Sequence, residues 1–102
     1  MKYTKNELLR LAKRYNNPKR SYLLVDPLQG KHLAVSPTAA LDMMYALGDM
    51  LRERYPSARL VIGFAETATA IGAAAAERIP ECKYIHTTRE DISAENWLYF
   101  SE

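Results

Sequence analysis

The sequence predicts an α/β fold, a parallel sheet covered by helices, with one extra helix at the N-terminus. Short apolar runs suited to strands recur at Tyr22-Leu23-Leu24-Val25, at Arg59 to Phe64 and at Lys83-Tyr84-Ile85-His86. Helix-length segments separate them, one opening at Ser36-Pro37 and stopping before Pro56, the other alanine-rich, reaching Ile79 and closed by Pro80. The order strand–helix–strand–helix–strand argues for parallel strands joined by right-handed crossovers.

Each element has a local reason. Thr4 and Glu7 have capping-box spacing, and Leu8, Leu11, Ala12 and Tyr15 form one apolar stripe at helical spacing. Asn16-Asn17-Pro18 ends that pattern, because a residue before proline avoids the α region. The first helix is therefore expected over Thr4 to Asn16, as an amphipathic N-terminal unit within 1–19. Tyr22 to Val25 stops at Asp26-Pro27, and Gln29-Gly30-Lys31 suits a hairpin turn into a second strand over His32 to Val35. Ser36 caps and Pro37 opens the long helix, in which Ala40, Leu41, Met44, Leu47 and Leu51 share a face with Gly48. A glycine inside a helix costs about 1 kcal/mol against alanine, so Gly48 suggests close packing. Arg59 to Phe64 is apolar on consecutive positions, as a strand buried on both faces should be.

At 102 residues the chain is one domain at most. With 48% hydrophobic and 25% charged residues it has neither a disordered nor a membrane composition. Its polar, basic start does not read as a signal peptide or transit segment. Cys82 is the only cysteine, so no internal disulfide can form and a reducing cytoplasm is the expected compartment. No zinc-ligand spacing occurs. The net charge of +2 is too small to imply nucleic acid, although Lys2, Lys5, Arg10, Lys13, Arg14, Lys19 and Arg20 face a single acid, Glu7, in the first twenty residues. That cluster reads either as a solvated helix face or as a surface for phosphate or acidic groups.

Open α/β sheets bind ligands beyond the carboxyl ends of their strands. That edge holds the loops from Asp26 to Lys31, Gly63 to Thr69 and Thr87 to Asp91. In the middle loop Gly63, Ala65 and Ala68 allow close backbone approach, and Thr67 and Thr69 offer hydroxyls at a helix start, where unpaired N–H groups favour an anion. The alternative is a capped turn without a ligand. The loop has neither the Gly-Lys-Ser/Thr ending of a P-loop nor the spacing of a dinucleotide fingerprint. Glu66 opposes a bare anion unless it meets a sugar hydroxyl, a metal or a cation. Arg89 and Lys31 are candidate cations, and His86 a candidate acid–base group with a structural alternative. No residue set identifies a catalytic nucleophile.

Gly63-Phe64-Ala65-Glu66-Thr67-Ala68-Thr69-Ala70-Ile71-Gly72, followed by Tyr84-Ile85-His86-Thr87-Thr88-Arg89, resembles a bacterial phosphoribosyltransferase-like family. Its members stand beside tellurium-resistance and stress-response genes and are related in fold to orotate phosphoribosyltransferase. The resemblance covers residues 20–102 and implies a partial type I phosphoribosyltransferase sheet and a role in nucleotide metabolism. It assigns Ala65, Glu66, Thr67, Ala68 and Thr69 to a loop cradling pyrophosphate, the leaving group of phosphoribosyl pyrophosphate. Arg89 would contact the same group, Lys31 and His86 would lie on the substrate side, and Ser93 to Glu102 would begin a hood. Mg2+ would arrive with phosphoribosyl pyrophosphate rather than on protein ligands alone.

The family's ribose 5-phosphate signature, two acidic residues followed by a Thr/Gly-rich loop, has no counterpart in the sequence. The domain is accordingly expected to be incomplete and not catalytically sufficient alone. The expected partners are a phosphorylated small molecule and a second copy or a complementing chain, with neither membrane nor nucleic acid. The alternative function is a non-catalytic interaction module, using exposed apolar residues such as Trp97, Tyr99 and Phe100.

Overall fold

A computed structural model describes residues 2–99. Its elements are α1 (Lys5–Leu8), β1 (Arg10–Lys13), β2 (Tyr22–Val25), α2 (Pro37–Arg54), β3 (Leu60–Gly63), α3 (Thr69–Glu77) and β4 (Lys83–His86). The fold is α/β, and β3 and β4 form its parallel sheet, joined through α3.

The N-terminal helix is present but much shorter than its apolar stripe suggests. The Glu7 carboxylate accepts the Thr4 N–H at 2.7 Å and the Thr4 hydroxyl at 3.0 Å, which holds that carboxyl below the usual range. The chain turns extended at Leu9, with φ −127° and ψ 126°, and the helix expected to reach Asn16 gives way to β1. β1 pairs antiparallel with β2, Leu11 opposite Leu24. Isolated helices shorter than about 12–15 residues are marginal in water, whereas this pairing satisfies backbone groups on both strands. Asn16, at φ 53°, adopts the left-handed conformation that asparagine tolerates and turns the chain back.

Two further expectations are corrected. β2 does not join β3 in one sheet, because its partner is β1, and two two-stranded sheets result. His32 to Val35 forms no strand. Asp26 instead accepts the Leu28 N–H at 2.9 Å in an Asx turn. Gly30, at φ 80°, then bends the segment toward the loop after β3 rather than back along β2.

The core lies between α2 and α3. Ala40, Met43, Met44 and Ala74 are buried, with Tyr3, Leu8, Leu28, Val35, Tyr45 and Ile71 packed around them. Gly48 is the point of closest approach. A Cβ there would lie 2.6 Å from the Ala75 carbonyl oxygen and 2.8 Å from Arg78 Cβ. Beside it the Arg78 guanidinium donates to both Asp49 carboxylate oxygens, at 2.9 and 3.2 Å. At the start of α2, Asp42 accepts from Lys2 at 2.7 Å and from the Tyr3 hydroxyl.

β3 was expected to be buried on both faces, but only one is covered. Gly63 and Tyr84 lie on the α3 side, whereas Leu60, Ile62 and Ile85 are exposed on the other. Past β4 the chain has no helix or strand through Tyr99, where the Trp97 and Tyr99 rings stack 6.4 Å apart. Phe100 and the end of the expected hood, residues 100–102, lie outside the described residues.

Candidate functional site

The loop between β3 and α3 takes its shape from what surrounds it. β3 delivers Gly63 against Tyr84, and a Cβ on Gly63 would lie 2.6 Å from both the Tyr84 hydroxyl and the Ala68 carbonyl oxygen. Gly72, one turn into α3, approaches the same place, its added Cβ 3.2 Å from Gly63 Cα. Two glycines thus let the helix sit directly on the strand. The Tyr84 hydroxyl crosses this contact and donates to the Thr69 carbonyl at 2.5 Å. Thr87, just beyond β4, works from both sides: its N–H donates to the Gly63 carbonyl at 3.0 Å, and its hydroxyl accepts the Ala65 N–H at 2.7 Å.

Within the loop the peptide between Ala65 and Glu66 is cis. The Ala68 N–H donates to the Phe64 carbonyl at 3.0 Å, and the Thr69 N–H to the Glu66 carbonyl at 3.2 Å. Among the described residues the Glu66 and Thr67 N–H groups have no acceptor. The Ala70 and Ile71 N–H groups, in the first turn of α3, likewise find none. Ala68 is the N-cap, and no side chain caps the helix.

Two side chains from the 26–31 turn reach this loop. The Lys31 ammonium donates to the Thr67 hydroxyl, and the Gln29 amide to the Thr67 carbonyl. The resulting cleft, about 340 Å³, is lined by Gln29, Lys31, Glu66, Thr67 and Thr69 among others. It combines a fixed cation, two hydroxyls and one carboxylate beside a helix N-terminus.

Of the residues singled out in the sequence, Lys31, Glu66, Thr67 and Thr69 meet at this cleft. Ala65 is buried behind the loop and Ala68 is half-buried at the helix start. His86 is exposed, its Nδ1 2.9 Å from the Thr87 carbonyl oxygen. Arg89 lies on the exposed segment after β4, and neither it nor His86 lines the cleft. Gln29, Tyr84 and Thr87 were missed as positioning residues. For Tyr84 a signal existed, a bulky aromatic on the strand following two glycines spaced to meet it; for Gln29 and Thr87 there was none. Among the described residues no group of three or more His, Cys, Asp or Glu could hold a metal ion. Nor is any helix among them long and apolar enough to cross a membrane.

β3, the loop after it and α3 form a parallel strand–loop–helix unit of an α/β protein, with a polar cleft at the carboxyl ends of the strands, the edge at which open α/β sheets bind their ligands. Residues 8–102 match the family model described as phosphoribosyl transferase, and the chain belongs to that family. No curated protein and no solved structure matches it.

Proposed function

We propose that this phosphoribosyl transferase-family protein binds phosphoribosyl pyrophosphate, with the pyrophosphate group on the Gly63–Thr69 loop. One observation carries the reading: the Lys31 ammonium is held on Thr67, next to the acceptor-free N–H groups of Glu66 and Thr67. A cation and oriented amides at a helix start stabilise phosphate oxygens without reorganising when the ligand arrives. Glu66 is the carboxylate available at the cleft. A Mg2+ ion there would travel on the ligand's phosphates, the usual arrangement for an ion that keeps most of its waters, and would offset the repulsion between Glu66 and the ligand. In a transferase the same contacts would stabilise charge on departing pyrophosphate, with Arg89 a further candidate cation and His86 on the acceptor side. A cytoplasmic setting and an origin in a tellurium-resistance or stress operon belong to this proposal.

Titration with pyrophosphate tests it. Backbone amide resonances of Ala65 to Thr69 are expected to shift with saturable dependence at up to millimolar ligand, and less so in Lys31→Gln. Silence of those amides would sink the reading.

The exposed face of β3–β4 favours a second reading, a module that associates through this sheet with another copy or with a complementing chain. Sedimentation equilibrium decides it: a monomer at all accessible concentrations, with no binding of an apolar dye, argues against it.

A further inference from the structure

Residues 8–25 hold five cations, Arg10, Lys13, Arg14, Lys19 and Arg20, and no carboxylate. The rest of the chain is net acidic, so the total of +2 conceals this segment. The expectation of no nucleic acid rests on that total. The fold also relocates the cluster, which lies on β1 and the 14–21 turn of the β1–β2 hairpin rather than on one face of a helix. Among the described residues none of the five side chains has an ion-pair or hydrogen-bond partner.

Two aromatic rings stand among these charges. Tyr22 lies directly opposite Lys13 across the hairpin, on the same face, and is 64% exposed. Tyr15, beside Arg14 at the turn, is 91% exposed. Among the described residues neither ring packs on another ring and neither hydroxyl is bonded. A groove of about 580 Å³ adjoins them, lined by Lys13, Arg14, Tyr15 and Asn16 and also by Lys31 and His32. The one carboxylate in its lining, Asp26, already accepts the Leu28 N–H at 2.9 Å.

Like charges crowded on one element repel one another and attract a polyanion. Cations interleaved with open aromatic rings suit a single strand, the charges tracking its phosphates and the rings stacking on its bases. A duplex hides the faces of its bases and would use the cations alone. We infer that the β1–β2 hairpin binds single-stranded nucleic acid, with phosphates on the five cations and bases on Tyr15 and Tyr22. This does not depend on the pyrophosphate reading of the loop.

Fluorescence anisotropy with labelled oligothymidylate and oligouridylate of about 15 nucleotides tests it. Binding of either should saturate, and should weaken about tenfold or more between about 50 and 200 mM salt. Tyr15→Leu/Tyr22→Leu keeps every charge and should weaken binding by about tenfold or more, with the dependence on salt unchanged. Lys13→Gln/Arg14→Gln should instead flatten the slope of log affinity against log salt by about one. Arg54→Gln/Lys83→Gln, an equal loss of charge elsewhere, should change affinity by less than about threefold. Leu11 and Leu24 share the face of Lys13 and Tyr22, so vesicles of anionic phospholipid are the competing probe. The inference is overturned if neither oligonucleotide binds at low salt or if only the vesicles are bound. It also fails if the tyrosine variant binds as tightly as the wild type, or if the two charge variants lose affinity equally.

Discussion

Tyr84 and Thr87 hold the candidate loop in place while leaving its cleft to other side chains. Tyr84→Phe keeps the ring over Gly63 and Gly72 and removes only the bond to the Thr69 carbonyl. A net loss of about 1 kcal/mol is expected from one such bond, read as a lower urea midpoint, with faster hydrogen exchange at Gly72. An unchanged midpoint and unchanged exchange would mean that the hydroxyl contributes nothing. Near the N-terminus of the chain, Tyr3 donates to Asp42, and this bond, with desolvation and the nearby carboxylates, pushes the phenol up to about 12. A raised acid contributes stability that is complete below its unfolded value of about 10 and is lost as pH climbs toward the folded one. Asp42 runs the opposite way: the Lys2 and Tyr3 bonds hold its carboxyl below the usual range. Its contribution is present above about pH 4 and disappears as pH falls through the folded value. A spectrophotometric titration should therefore show one tyrosine ionising last, near 12. Asp42→Asn should return it toward the ordinary value; a titration identical in the variant would contradict the contact.

At the scale of elements, the α2–α3 contact is the most exacting. Any side chain at Gly48 meets the Ala75 backbone, with Cα 2.9 Å and carbonyl oxygen 2.6 Å from the new Cβ. Gly48→Ala would gain up to about 1 kcal/mol of helix propensity and lose about 1–3 kcal/mol by overpacking. The expected result is net destabilisation, a lower urea midpoint with an unchanged denaturant slope. An increase in stability would show that the helices can separate at no cost. Asp49 lies in the same contact. Its bond to Arg78, reinforced by the charges of Arg78 and Arg52, holds the carboxyl low. This ion pair therefore also supports the helix pair only above the acid range.

For the whole molecule, the consequence of two small sheets is surface that stays apolar. On the hairpin Leu11 is 69% exposed and its partner Leu24 62%. On β3–β4 Ile62 is 42% exposed and Ile85, opposite it, 54%. Paired apolar side chains on an open sheet face are what association buries. If the protein self-associates through β3–β4, Ile62→Glu/Ile85→Glu should shift its sedimentation toward monomer, with the far-UV spectrum preserved. Association unchanged in that variant would place the contact elsewhere.

Local chemistry was enough to read the cap at Thr4, the start of α2 at Ser36-Pro37, the apolar strand runs of β2, β3 and β4, and the small-residue loop before α3. Each depends on neighbours a few residues away, through caps, fixed proline torsions and period. Pairing was decided elsewhere. Residues 10–13 suit a helix stripe and a strand about equally, and it was β2, some twelve residues along, that supplied the backbone partner. The same holds for the cleft. The glycines and threonines announce a tight turn at a helix start, but Lys31, Gln29 and Thr87 reach it only because the 26–31 turn and the end of β4 fold against it. A hydrogen bond between residues 36 apart leaves no periodic trace in a sequence, and only the folded backbone determines which side chains meet.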